Sequence, residues 1–283
     1  MRGCKMDENS QQKMKILKTI IKELGSVCVA FSGGVDSTFL TKVSRDVLGD
    51  NVLAVTATSP AYPEREIKEA IEIAKEIGVE HILIESGEMN VPEFTENRPD
   101  RCYYCKDDLF RRLKDLAHEY GLKHVIDGSN YDDGSDYRPG RKAASEKGVR
   151  SPLYEAGLTK NEIRLFSRMI GLRTWNKPSF ACLSSRIPYN DKITPEKLRQ
   201  IEEAEDILKD FGLSQFRVRH HGEMARIEVL PEEFQKILDN RTIIIERLKT
   251  LGYIYITLDL MGYRTGAMNE VLNNAEGCIK KTS

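Results

Sequence analysis

"SVCVAFSGGVDSTFL", residues 26–40, decides the fold. Its first part is short, apolar and β-branched, which predicts a buried strand over 26–31. Its last part opens a helix predicted from about Asp36 to Leu48. Between them, "SGGVDST" has two adjacent glycines, three hydroxyl side chains and no lysine. Gly33 and Gly34 let backbone approach an anion closely, and the new helix aims unpaired N–H groups at it. Ser32, Ser37 and Thr38 add hydroxyl donors, with Val35 and Asp36 completing the turn. The loop does not match G-x-x-x-x-G-K-[ST], so γ-phosphoryl transfer of that kind is unsupported, nor does it match the dinucleotide fingerprint G-x-G-x-x-G.

Outward from this loop, strands are predicted at "NVLAVTAT" (51–58), "EHILIE" (80–85) and "KHVID" (123–127). Helices are predicted over about 10–24, capped by Ser10 and ended by Gly25, and over about 106–120. Pro63 suits the first turn of another helix. Strands alternating with helices predict an α/β fold, a doubly wound parallel sheet covered on both faces. Thr58 and Asp127 end strands. Asn130, Asp132, Asp133 and Arg138 follow the fourth strand, where open sheets bind ligands. Thr159 and Glu162 form a capping box. After "SRIPYNDKITPEK" come a helix (about 195–211), "FRVRHH", "ARIEVL", a helical stretch (about 232–251) and "YIYITLDL". This predicts a small α+β domain, with domains at 1–189 and 190–283.

The net charge of −1 over 283 residues gives no support for a basic nucleic-acid surface. The first residues lack the apolar core of a signal peptide, and no apolar run nears the roughly 20 residues that span a bilayer. A cytoplasmic protein without a membrane partner is expected, and there six cysteines suit thiols or metal ligands better than disulfides. Cys102 and Cys105 form a C-x-x-C pair, ambiguous among zinc, redox and iron–sulfur roles. Cys28 is expected in the core, and Cys4 and Cys278 lie near the termini. With Cys182, three thiolates suit a 4Fe–4S cluster with one iron open. Arg217 and Arg219 share a strand face and suit a phosphate or carboxylate, or else a solvated face. Lys106 is either a charge-neutralising group or an ordinary exposed lysine. Asp36 is a Mg²⁺ candidate or a helix N-terminal carboxylate. His220 and His221 point to opposite faces, and Trp175 is expected in the core.

S-G-G-V-D-S after the first strand resembles the PP-loop ATP pyrophosphatases. That resemblance implies a Rossmann-like domain that holds the β,γ-pyrophosphate of ATP and transfers AMP to a substrate oxygen, which accounts for the missing lysine. "PSFACLSSRIP", "FRVRHHGEMARIEV" and "LGYIYITLDLMGYRTGAMN" look like the LarE family, and the likeness runs from the loop to about Asn269. It implies adenylation of a pyridinium mononucleotide carboxylate, then replacement of oxygen by sulfur from a sulfide source, as part of nickel-pincer cofactor synthesis. ATP and Mg²⁺ would sit at Ser32 to Thr38, with Thr58, Asp127 and Asn130 nearby. Cys182, Lys106 and Arg186 would be catalytic. Ser185, Arg217, Arg219 and Arg138 would bind substrate, and Glu228 matches an acidic metal position.

One LarE subtype sacrifices the sulfur of its single cysteine; the other holds a 4Fe–4S cluster. The coexistence of Cys182 with Cys102 and Cys105 favours the cluster. Homo-oligomer contacts through the smaller domain are implied by the likeness. The alternatives are a tRNA thiolation enzyme, an amidating ligase of the NAD-synthetase type, and an ATP sensor without turnover.

Overall fold

The structure is a computed structural model that describes residues 8–135 and 139–272. Among these the chain forms two compact units. One takes the residues up to 94 together with 99–180; the other takes 95–98 and everything from 181. The change falls upstream of the 189/190 boundary expected from the pattern.

The first unit is built on four parallel strands: β1 (Val27–Ala30), β2 (Val52–Thr58), β3 (Glu80–Glu85) and β4 (His124–Ile126), in the order β3-β2-β1-β4. Val27 stands opposite Val52 on one side and His124 on the other, so β1 lies inside the sheet. Alternation along the inner strands sorts side chains to opposite faces. Val27, Val29, Val52 and Ala54 pack on α1 (Glu8–Leu24), α2 (Val35–Leu48), α3 (Glu64–Ile77) and α6 (Lys160–Met169). Cys28, Leu53 and Val55 pack on α4 (Arg101–Glu119) and α5 (Pro139–Glu146). The expected doubly wound α/β sheet is therefore present.

Three local expectations are corrected. Helix α1 is already formed at Glu8, the first described residue, so Ser10 lies inside it and hydrogen-bonds Glu162 at 3.0 Å. Pro63 is the cap of α3, outside its first turn. Helix α4 begins at Arg101, five residues earlier than expected, and so contains both Cys102 and Cys105. The capping box is as expected: Glu162 N donates to Thr159 Oγ1 (3.3 Å) and Thr159 N to Glu162 Oε2 (2.9 Å).

The second unit contains α7 (Pro195–Lys209), β5 (Phe216–His221), β6 (Met224–Val229), α8 (Phe234–Asp239), α9 (Arg241–Thr250) and β7 (Tyr255–Leu258). Strands β5 and β6 are antiparallel, whereas β7 pairs with β6 in parallel after the helical crossover. Its core gathers Ile207, Leu208, Val218, Ile227, Ile244 and Leu248. Among the described residues, no helix is long and apolar enough to cross a membrane.

Candidate active site

The loop between β1 and α2 rests closed on itself. Ser32 N donates to Ser37 Oγ (3.2 Å), and the Ser32 and Ser37 hydroxyls lie 3.0 Å apart. Gly33 has φ +65°, a conformation side chains resist, and a Cβ there would stand 3.0 Å from Ala70 Cβ. Gly34 caps α2 without a side-chain partner, which leaves the first helical N–H groups to the site. Gly128, just after β4, must also be small, because a Cβ would meet Ser37 N at 3.0 Å. Two elements thus press on the loop and fix its shape. Thr38 differs from the other loop residues: it is fully buried and lines a separate crevice of about 190 Å³ with Lys42 and Ile73.

Asp36 reaches across to Lys160 at the start of α6, and its Oδ2 pairs with that ammonium. Lys160 is itself placed by the loop after β4, where Asp132 Oδ2 accepts from Lys160 N at 2.8 Å. Asn130 shapes that loop: its Oδ1 accepts from Asp132 N, and its own N donates to Asp133 Oδ2, both at 3.0 Å. Asp127 is held by Ser129 Oγ (2.8 Å) and Ser151 Oγ (2.6 Å). Burial pushes the Asp36 carboxyl above the usual range, against the opposing pull of Lys160. Its Oδ1 is buried with no hydrogen-bond partner. A lone carboxylate oxygen at the mouth of a phosphate loop fits a hard cation such as Mg²⁺.

Beside the loop lies a cleft of about 120 Å³, lined by Phe31, Ser32, Thr56, Tyr62, Glu66 and Lys106, among others. Thr56 Oγ1 donates to Phe31 O (2.7 Å) and lies 2.8 Å from His81 Nε2. Since the hydroxyl proton is used, His81 must supply the N–H of that second bond. Burial lowers the His81 pKa, consistent with a neutral ring. Thr58 donates to Ile84 O (3.2 Å) and ties β2 to β3. Lys106 reaches the cleft from α4, past Gly140, where a Cβ would meet Lys106 Cγ at 2.9 Å.

Cys102 and Cys105 are three residues apart on α4, so they share a helix face. Cys102 is exposed; Cys105 is half-buried, its Sγ 3.7 Å from the hydroxyl of the cleft-lining Tyr62. Two accessible thiols at this spacing fit two positions on a thiophilic metal or cluster. Among the described residues, no group of three or more His, Cys, Asp and Glu side chains is gathered to hold a metal ion. Cys28 is buried, and burial pushes its thiol up to about 12, so it belongs to the core as expected.

In the second unit, Cys182 opens a short turn, Leu183–Arg186, and is half-buried. Arg186 is 1% exposed and bonds Glu205 through Nε (2.8 Å) and Nη2 (3.0 Å). Its Nη1 donates to Ala181 O (2.6 Å), Cys182 O (3.1 Å) and Ser185 Oγ (2.9 Å), so one guanidinium holds the cysteine turn. Arg219 donates to Ser185 O (2.8 Å) and forks onto Glu228 (2.9 and 2.7 Å). Both Glu228 oxygens are thereby engaged, and Arg226 also reaches Oε1. Arg217 and Arg219 are buried, so the solvated-face reading of that strand is corrected. Burial, and next the neighbouring Arg186, lower the Arg217 guanidinium to about 10, against the opposing pull of Glu205. Arg138, Cys4 and Cys278 lie outside the described residues. Trp175 is half-buried under the Arg168 guanidinium, 4.9 Å from its ring centroid.

A family model for NAD synthase matches residues 10–103. An uncharacterized protein of Synechocystis is 44% identical over 264 residues, 93% of this chain and 98% of its own. A protein of Lactiplantibacillus plantarum named pyridinium-3,5-bisthiocarboxylic acid mononucleotide synthase is 39% identical over 265 residues, 93% of this chain and 96% of that one. The chain belongs to the LarE family. An uncharacterized protein of Methanocaldococcus jannaschii is 29% identical over 261 residues, 92% of this chain and 96% of its own. The PP-loop of this LarE-family chain has neighbours that the sequence did not flag: Tyr62, His81, Lys160 and Lys177. Each comes from another part of the chain, and no local motif marks Tyr62, His81 or Lys160 as a neighbour of the loop. Lys177 alone had a signal, lying just before the "PSFACLSSR" motif.

Proposed function

We propose that this chain is an AMP-forming, ATP-dependent sulfurtransferase. It would adenylate a carboxylate of pyridinium-3,5-biscarboxylic acid mononucleotide and replace oxygen with sulfur in nickel-pincer cofactor synthesis. The reading is carried by one observation: the PP-loop and the C-x-x-C helix border the same cleft, through Ser32, Lys106 and the Tyr62–Cys105 contact.

Loop amides and the Ser32 and Ser37 hydroxyls would hold the β- and γ-phosphates. Asp36 would hold Mg²⁺, offsetting their charge. A substrate carboxylate oxygen then attacks the α-phosphorus, the bond to the β-phosphate oxygen breaks, and pyrophosphate leaves with that electron pair. Lys106 would steady negative charge at the cleft. Arg217 and Arg219 would take the mononucleotide phosphate with Ser185 and Arg138, while Arg186 fixes the Cys182 turn. Cys102, Cys105 and Cys182 would be thiolate ligands of a 4Fe–4S cluster, which when bound supplies a sulfide nucleophile. Sulfur attack on the acyl carbon would then release AMP.

The test is anaerobic incubation with ATP, Mg²⁺ and the dicarboxylate mononucleotide. AMP, pyrophosphate and a product with one oxygen exchanged for sulfur are expected, with about four irons per chain. Release of ADP without AMP would overturn the reading. Iron-free protein losing one sulfur in turnover would select the sacrificial use of Cys182.

A further inference from the structure

Resting on the adenylation reading, we propose that Lys177 is the cation this loop lacks, a phosphate-binding residue for the leaving pyrophosphate. A departing pyrophosphate carries several negative charges, and "SGGVDST" offers amides and hydroxyls but no positive side chain. Lys160 is engaged by Asp36, the side chain that would hold Mg²⁺. Lys177 stands instead against the loop backbone, its Nζ 3.4 Å from Gly33 O.

Its place is fixed twice over. Arg164 holds the backbone around it, donating to Trp175 O (3.0 Å) and Lys177 O (2.9 Å). Glu66 and Glu69, one turn apart on α3, each hold the ammonium at 2.8 Å. The same helix pins Gly33 through Ala70, so loop and ammonium share one rigid support. An ammonium has three N–H donors. Two are spent on strong, charge-assisted bonds to the glutamates. The third meets Gly33 O at a distance well beyond the roughly 2.9 Å of a good N–H···O bond. That weakly held donor is the one an anion in the loop would take. The two carboxylates, 20% and 36% exposed, keep access to water as it does so. Lys177 is only 13% exposed, which keeps its charge from being fully screened.

The test compares binding of pyrophosphate and of AMP, each with Mg²⁺, by calorimetry. For Lys177→Met, pyrophosphate affinity is expected to fall about tenfold to a hundredfold. AMP affinity should stay within about twofold, and Lys177→Arg should recover most of the loss. Equal losses for both ligands would mean a structural role and overturn the proposal, as would unchanged pyrophosphate binding. The adenylation reading fails separately, if wild-type protein yields ADP and never AMP.

Discussion

Four of the cysteines lie in the described residues, and their surroundings differ more than their chemistry. Cys28 faces the core from the middle of β1, with its thiol raised to about 12 by burial. At pH 8 about one part in ten thousand of it is thiolate, and only thiolate is alkylated. Iodoacetamide treatment of folded, iron-free protein, followed by peptide mapping, should therefore label Cys102, Cys105 and Cys182 within minutes. Cys28 should react only after denaturation. Equal labelling of Cys28 in folded protein would contradict its placement. The core role of Cys28 was legible from "SVCVAF", because a short apolar run with β-branched residues, set before a glycine turn, reads as a buried strand. The burial of Arg217 and Arg219 was not legible. Alternation shows that two arginines share a face, but it cannot tell which face another element covers.

Among the elements, α6 does most to place the loop's neighbours, and its capping box sets where it starts. Burial alone would raise the Glu162 carboxyl. The Thr159 N–H, Lys13 and the hydroxyls of Thr159 and Ser10 outweigh it and hold the group at about 2. A folded-state value below the unfolded one contributes stability that is complete above about pH 4.5 and lost as pH falls toward 2. Thermal midpoints should thus fall more steeply over that window in wild type than in Glu162→Gln. At pH 7 that variant should be less stable by about 1 kcal/mol, since it keeps the cap but loses the Lys13 charge pair. Parallel pH profiles would refute the assignment. Thr159 and Glu162 were readable as a cap because both partners lie within one turn. The same helix start brings Lys160 to Asp36, 124 residues away in the chain, and no local pattern signals that meeting.

At the scale of the whole molecule, each unit solves a separate electrostatic problem. The first arranges amides, hydroxyls and lysines around one glycine turn. The second buries ion pairs beneath the Cys182 turn, and Glu205 is their centre: although burial opposes it, Arg186 keeps this carboxyl below its usual range. Breaking a buried pair from one side leaves the other charge stranded. Glu205→Gln should cost about 3–5 kcal/mol in urea unfolding, whereas exposed pairs are worth about 1 kcal/mol or less. A loss below about 1 kcal/mol would show that Arg186 finds another partner.

The sequence by itself determined the order of strands and helices, the phosphate loop and the family, since these depend on residues close together in the chain or on runs of motif. Only the tertiary structure decided which lysines stand beside the loop, that Cys105 lies by the cleft, and that the arginines of β5 are buried. Strand pairing joins residues up to 97 positions apart and helix packing joins residues more than a hundred apart, and the energy of those contacts leaves no mark on any short stretch of sequence.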